Sequence, residues 1–260
     1  MNHFAFLAKI VTDIRIAVAL STILPVGPQA PVNDGEIARA SWALPVAGLL
    51  VGLGGAVIYS VARMTGLTAG PAAMLAVTAT VLITGAIHED GLADTADGFG
   101  GGRTSDRKLD IMRDSRIGTY GACALVISLA LRWSALAAIG KPGPVAAALS
   151  VSHAAARAAL PMFMWLVPPA RSDGLSAGAG QPSGQSAIIA MGLGMLCLIF
   201  GLGPSGAVIG AILLVLAGLI TGWLAISHVG GQTGDILGAM EQIGEITIVL
   251  MVAALLETEP

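Results

Sequence analysis

Charge is confined in this chain. Of its 13 basic and 16 acidic residues, twelve lie between Glu89 and Arg116, and the runs around that stretch, Trp42 to Ala62 among them, can carry none at all. Such runs have few folded solutions, and the simplest is a helix of about 20 apolar residues crossing a bilayer. Only 11% of positions are charged and 55% are hydrophobic, against roughly 25% charged in a soluble domain. The chain therefore reads as an all-α, polytopic integral membrane bundle, one domain over residues 1–260, with membrane lipid around it. Few aromatics and a net charge of -3 argue against nucleic acid as a partner. Cys123 and Cys197 stand in apolar runs, where cysteine behaves as a small hydrophobe.

Residues 4–24 are apolar, but Lys9, Asp13 and Arg15 interrupt the place of a signal-peptide core, so cleavage is not expected. Lys9, Thr12 and Asp13 share one helical face. That predicts an N-terminal amphipathic helix at the interface, or a short inserted segment packed on the rest. Residues 25–41, with Pro25, Pro28, Pro31 and Asn33-Asp34-Gly35, read as a loop. About seven spans are expected, near 42–62, 71–87, 117–139, 145–167, 186–202 and 205–226, with the last ending near Leu256. Trp42 and Tyr59 would anchor the first at the interfaces, and Lys141-Pro142-Gly143-Pro144 and Gly203-Pro204 would turn the chain. Residues 168–185 are rich in Gly, Ser and Pro. With 88–116 placed in the cytoplasm, nine basic residues (Lys9, Arg15, Arg39, Arg103, Arg107, Lys108, Arg113, Arg116, Arg171) fall on that side, against Arg63 and Lys141 outside. Every polar motif then faces the cytoplasm.

The stretch 88–116 is the first candidate site. On a helix at about 100° per residue, Asp90, Asp94 and Asp97 fall at roughly 0°, 40° and 340°, a narrow arc of carboxylates. Hard oxygen ligands grouped in this way suit Mg²⁺, which takes one or two carboxylates and leaves its other positions to water and phosphate. The competing reading is a solvated acidic loop. Thr104-Ser105-Asp106 reads as a helix start, and Asp106, Asp110 and Asp114 repeat every four residues along a short polar helix.

Two further places carry polar groups. In the fourth span His153 and Arg157 sit at membrane depth, where an ionisable group is costly and should face the bundle interior. Arg157 either meets substrate phosphate or pairs with a carboxylate between helices. Arg132, nearer the end of its span, is expected to snorkel. The second motif, about 227–245, is a Gly-rich turn running into a helix, a start that suits an anion, with Asp235 at the cap and Glu241 and Glu245 one turn apart. The competing reading is a capped helix whose two acids face polar neighbours.

Carboxylates, bases and a Gly-rich helix start on one membrane face suit transfer of a phosphate-bearing group. Three such readings compete: a CDP-alcohol-type phosphotransferase, a prenyltransferase with Asp-rich diphosphate motifs, and another transfer from a nucleotide-diphosphate conjugate. The first should show Asp-Gly-x-x-Ala-Arg, whereas Asp90-Gly91-Leu92-Ala93 is followed by Asp94; the second should carry two Asp-rich loops. A small transporter is the non-enzyme reading, disfavoured by charge gathered in a loop and by the lack of a visible inverted repeat.

Three motifs narrow the choice. The runs from His88 to Gly98, from Ile111 to Gly121 and from Gly230 to Ala239 resemble, in order and spacing, those of the cobalamin synthase family, the membrane adenosylcobinamide-GDP ribazoletransferases. The resemblance covers essentially the whole chain. It implies a Mg²⁺-dependent transfer in the inner membrane of a prokaryote, with the site facing the cytoplasm. The hydroxyl of α-ribazole, or of α-ribazole 5′-phosphate, attacks the phosphate attached to adenosylcobinamide, giving cobalamin or its 5′-phosphate and releasing GMP. On that footing Asp90, Asp94 and Asp97 are the expected metal ligands, and Glu89 is not among them. Asp94, Asp114 and Asp235 are the expected catalytic carboxylates, the last two as further ligand or base. Arg113, Arg116 and Arg157 are the candidates to grip phosphate, with a salt bridge to Asp110 the other reading of Arg113. The abundant small residues permit an oligomer without selecting one.

Overall fold

The computed structural model describes residues 3–28, 32, 34–174 and 178–257. Its described elements are helices: α1 (His3–Ser21), α2 (Asp34–Ala40), a 3-10 turn (Ser41–Ala43), α3 (Leu44–Met64), α4 (Ala69–Thr84), α5 (Ile87–Gly101), α6 (Ser105–Met112), α7 (Thr119–Ile139), α8 (Pro142–Leu166), α9 (Gly184–Val229) and α10 (Gly234–Glu257). Among the described residues, four apolar stretches are long enough to cross a membrane: Gly35–Met64, Thr119–Ile139, Gly184–Val229 and Gly234–Leu256. A fifth arises if α4 and α5, bent by 89° against each other, count as one broken span. That is short of the seven expected. α8 is not among them, because His153 and Arg157 interrupt its alanine-rich run, and α9 counts once although it is folded on itself.

The fold of α9 follows from one residue. A straight helix of 46 residues would run roughly 69 Å, over twice the hydrocarbon thickness. Gly203 breaks it with φ 72 and ψ 173, in a region that glycine enters without penalty. The arms return against each other, since a Cβ at Gly210 would lie 3.0 Å from Leu198 Cδ2. At the core, α3 and α8 touch backbone to backbone. A Cβ at Gly48 would fall 2.2 Å from the His153 carbonyl oxygen and one at Gly52 2.4 Å from that of Leu149. Alanines and glycines here do what small residues do in membrane bundles, letting helices close up for dispersion contact.

The N-terminal region differs from expectation in two ways. Residues 25–41 are not all loop, since α2 and the 3-10 turn occupy the second half; Pro31 and Asn33 of that stretch lie outside the described residues. α1 is packed against α2 and α3, and its Asp13 is buried, accepting from Arg39 Nε at 3.0 Å, Arg39 Nη2 at 2.9 Å and Trp42 Nε1 at 3.0 Å. The polar face is thus turned inward at Asp13. Between α4 and α5 the chain turns on two successive left-handed residues, Gly85 and Ala86 (φ 64 and 59). This turn sets the direction of α5, the helix that carries the acidic motif.

Candidate active site

α5 crosses α10 where both lack side chains. A Cβ at Gly91 would lie 2.7 Å from the Asp235 carbonyl oxygen, and one at Gly238 would lie 3.2 Å from the Gly91 Cα. Glycine on both sides lets the two backbones touch, and the contact brings Asp90 and Asp94 of one motif beside Asp235 of the other. Asp94 feels the charges of Asp90, Asp235 and Asp97 together. Beside this crossing a cleft of about 430 Å³ opens between α5 and the segment that joins α6 to α7, lined by Glu89, Asp90, Ala93 and Asp94 on one side and Met112, Arg113, Asp114 and Ser115 on the other. Its volume lies in the range of small-molecule sites, enough for a phosphate-bearing end of a larger substrate. Acids wall one side, and the other carries Arg113 beside Asp114.

The acidic arc itself divides. Asp97 turns to the start of α7, where its Oδ2 accepts from the Gly118 N–H at 2.7 Å and its Oδ1 from the Gly121 N–H at 2.9 Å. It satisfies two of the four orphan donors of that helix, and the glycines are required, since a Cβ at either would stand 2.4 Å from a carboxylate oxygen. The Ile117-Gly118-Thr119-Tyr120-Gly121 part of the second motif is thereby a socket for Asp97. Asp90 and Asp94 remain on the cleft wall, with Asp235 near enough across the crossing to act on both by charge. Among the described residues they do not close into a three-ligand group within 4.8 Å, as a cage would require. They fit instead an ion held by one or two carboxylates that leaves its other positions open to phosphate, and like charges crowded in a partly buried cleft favour a cation between them.

The basic wall is held in outward ion pairs. Arg113 Nη2 donates to Asp173 Oδ1 and Oδ2 at 2.7 and 2.6 Å, so its partner is Asp173 and not Asp110. Arg116 is bound to Asp114 by its Nε, its Nη2 and its backbone N–H, at distances of 2.6–3.2 Å. Those bonds hold the Asp114 carboxyl down to about 2. A group so acidic is a weak base, and the geometry gives Asp114 the work of orienting Arg116. Thr104 caps α6 as expected, accepting from the Arg107 N–H at 3.3 Å, but Asp114 lies past the end of that helix. Thr233, not Asp235, caps α10, accepting from the Ile236 N–H at 3.3 Å and donating its own hydroxyl to Asp235 at 3.2 Å.

Beneath the cleft lies a second polar layer. Arg132 pairs with Glu89 at 2.9 Å and with Glu245 at 3.0 Å, and its side chain is 2% exposed. It does not snorkel toward the nearer end of α7 at Ile139, because Glu89 and Glu245 meet its guanidinium inside the bundle. Arg157 pairs with Glu241 and approaches His153 and His88 at 3.1 and 3.3 Å. His153 stands 3.1 Å from Glu245 Oε2. Arg157 therefore meets a carboxylate between helices and does not line the cleft. His153, Glu241 and Glu245 converge within 4.8 Å, as metal ligands do, but the two arginines already supply positive charge there. The sequence held a signal for this layer in the spacing of Glu241 and Glu245, four residues apart on one face.

Residues 13–253 match the family model described as cobalamin-5-phosphate synthase. An adenosylcobinamide-GDP ribazoletransferase of Bradyrhizobium diazoefficiens is 63% identical over 95% of both chains. Proteins of the same name from Mesorhizobium japonicum and Azorhizobium caulinodans are 49% and 45% identical, over 96% and 94% of this chain and 96% of each relative. No solved structure matches. The three motifs that build the cleft, its floor and its socket are those of that resemblance, and on the match over nearly its whole length the chain belongs to the cobalamin-5-phosphate synthase family.

Proposed function

We propose that this chain is an adenosylcobinamide-GDP ribazoletransferase, joining adenosylcobinamide-GDP to α-ribazole or α-ribazole 5′-phosphate and releasing GMP. The observation that carries the reading is 63% identity over 95% of both chains to a relative of that name. A cleft with carboxylates on one wall and Arg113 on the other, with Arg116 held beside it by Asp114, is a form that suits such a transfer. In the reaction the acceptor hydroxyl oxygen bonds to the phosphorus that carries cobinamide, the bond from that phosphorus to the GMP oxygen breaks, and the hydroxyl proton is given up.

Asp90 and Asp94 would hold Mg²⁺ beside the α5–α10 crossing, with Asp235 of α10 close by and Asp97, the third carboxylate of the arc, engaged with the start of α7. The ion would neutralise diphosphate oxygens and ease departure of GMP. Arg116, oriented by Asp114, and Arg113, on exchanging Asp173 for substrate, grip the phosphates from the opposite wall. Asp235, kept in place by the Thr233 hydroxyl, is the carboxylate free to take the acceptor proton, with Asp94 beside it. Arg157 works from below, through Glu241 and His88, and not on phosphate.

In the membrane we propose seven crossings, counting α4, α8 and both arms of α9, with the cleft toward the cytoplasm of a prokaryotic inner membrane. Nine basic residues against two support that orientation, and large apolar side chains turned outward, such as Phe200 and Trp223, suit contact with lipid. The test is GMP release by purified protein given adenosylcobinamide-GDP and α-ribazole, with Mg²⁺ and with EDTA, beside Asp94→Asn. GMP and cobalamin should appear together, only with metal and wild-type Asp94. Absence of product from folded protein in lipid would overturn the reading. Tags at 103–107 and 171–174 should both be reached from the cytoplasmic side only.

A further inference from the structure

Among the described residues, Arg171 has carboxylates within ion-pair distance but no side-chain hydrogen bond. Arg171, on the loop after α8, brings Nη2 to 3.7 Å from Asp235 Oδ2 and Nε to 4.0 Å from Asp173 Oδ1. Both separations are beyond hydrogen-bond range. Its Nη1 is buried and has no hydrogen-bond partner. A guanidinium carries five donors and is costly to leave unmet, yet this one is held where it stands by considerable construction. The Ala170 N–H donates to the Gln232 carbonyl at 2.8 Å, and the Gln232 N–H to the Pro168 carbonyl at 2.8 Å. This short bridge fastens the residues just before Arg171 to the entry of α10. It depends on Gly231, where a Cβ would stand 2.2 Å from the Pro168 carbonyl oxygen. The Gly230-Gly231-Gln232 part of the third motif thus works as a clamp, and what it presents at Asp235 is Arg171.

Asp173 extends the arrangement, since it binds Arg113 across the loop and approaches Arg171 as well. Two arginines from different loops face one anion, next to the carboxylate that borders the α5–α10 crossing. A phosphate group offers more acceptor oxygens than a carboxylate and matches the guanidinium fork. We propose that Arg171 is a phosphate-binding residue of this site, donating to a phosphate held beside Asp235. The proposal rests on the transferase reading for the identity of that phosphate, which belongs either to the diphosphate of the donor or to the 5′-phosphate of the acceptor.

The experiment has a part that does not need that reading. Binding of inorganic pyrophosphate and inorganic phosphate to the purified membrane protein is measured by calorimetry, in Mg²⁺, for wild type, Arg171→Gln and Arg171→Lys. Loss of a charge-assisted contact should weaken at least one ligand about 10- to 100-fold in Arg171→Gln, with Arg171→Lys in between. Equal binding by folded wild type and Arg171→Gln overturns the proposal, and so does a wild type that binds neither ligand. If GMP release is observed, Arg171→Gln should raise a KM with a smaller change in kcat. A KM raised for adenosylcobinamide-GDP with either acceptor assigns the phosphate to the donor. A KM raised for α-ribazole 5′-phosphate and not for α-ribazole assigns it to the acceptor. A residue that only secured the loop would lower thermal stability equally in both variants and leave every KM in place, which also overturns it. If wild type binds pyrophosphate but never releases GMP, the transferase reading fails and the phosphate site stands.

Discussion

Arg132→Met removes one guanidinium from between two buried carboxylates. Arg132 contacts Glu245 Oε1 at 3.0 Å and Glu89 Oε1 at 2.9 Å, and the three side chains are 2%, 2% and 8% exposed. In the intact layer three carboxylates (Glu89, Glu241, Glu245) face two guanidiniums (Arg132, Arg157); in the variant they face one. Breaking a buried pair by removing one partner costs about 3–5 kcal/mol, because the charge left behind is uncompensated, and here two are left. Glu245→Gln is the milder change, since Arg132 keeps Glu89, and should cost about 1–3 kcal/mol. The triple variant Arg132→Met, Glu89→Gln, Glu245→Gln removes all three charges and should recover at least half of the loss. The assay is reversible unfolding in mixed micelles, followed by tryptophan emission. If Arg132→Met loses less than about 1 kcal/mol, or the triple variant is no better than the single one, the pairing is not what holds α5 to α7 and α10.

Three more outcomes test other joints of the site. Asp97→Ala leaves the Gly118 and Gly121 N–H groups without their acceptor and should destabilise by about 3 kcal/mol, with Asp97→Asn retaining roughly half, since bonds to a charged group count for about 1.5–3 kcal/mol each; unfolding midpoints decide. Gly91→Ala pushes a Cβ to 2.7 Å from the Asp235 carbonyl, so the helices must part: stability should fall by about 1–3 kcal/mol, and GMP release should fall more than stability explains. Arg116 depresses the Asp114 carboxyl from 3.8 to about 2, so their pairing is fully present above the unperturbed value and is lost only as pH drops through about 2. Asp114→Asn should therefore lower kcat without moving the acid limb of the pH–rate profile between pH 5 and 8. A limb that shifts would show that Asp114 itself titrates there.

What the sequence made legible was periodicity and punctuation. The carboxylate arc on α5, the polar start of α6 and the break at Gly203 all follow from local rules, because each depends on residues within a turn or two. Partners distant in the chain were not legible. Asp97 looked like a third metal ligand because it shares an arc with Asp90 and Asp94; only the approach of α7 shows that its oxygens close that helix. Arg113 had Asp110 three residues away and instead reached Asp173, sixty residues on. Arg132 was read by its distance from a span end, which says nothing about the two acids that come to meet it from α5 and α10. Arg171 carried no local signal, since its place depends on a bridge between Pro169 and Gln232, on two loops far apart in the chain.

The two polar layers are one device because α5 builds both. Counting from Asp90 at 0°, Asp94 falls at roughly 40° while His88 and Glu89 fall at roughly 160° and 260°, so the same short helix shows Asp90 and Asp94 to the cleft, sends His88 into the bundle, and has Glu89 at the edge between, reaching inward to Arg132. Those inner groups meet Arg132 of α7 and Arg157 of α8, and these in turn bind Glu245 and Glu241 of α10. α10 also supplies the glycine on which α5 lies and the carboxylate Asp235 beside it. Every helix that fixes the cleft is thus tied to the others by charge as well as by contact. An apolar floor of equal volume would be cheaper to bury, but dispersion between small residues tolerates sliding along the helix axis. Ion pairs of opposite sign at fixed heights do not, because a shift of one turn leaves each charge facing none. That difference accounts for costly groups at membrane depth directly below a site whose carboxylates must keep their spacing while a bulky substrate enters.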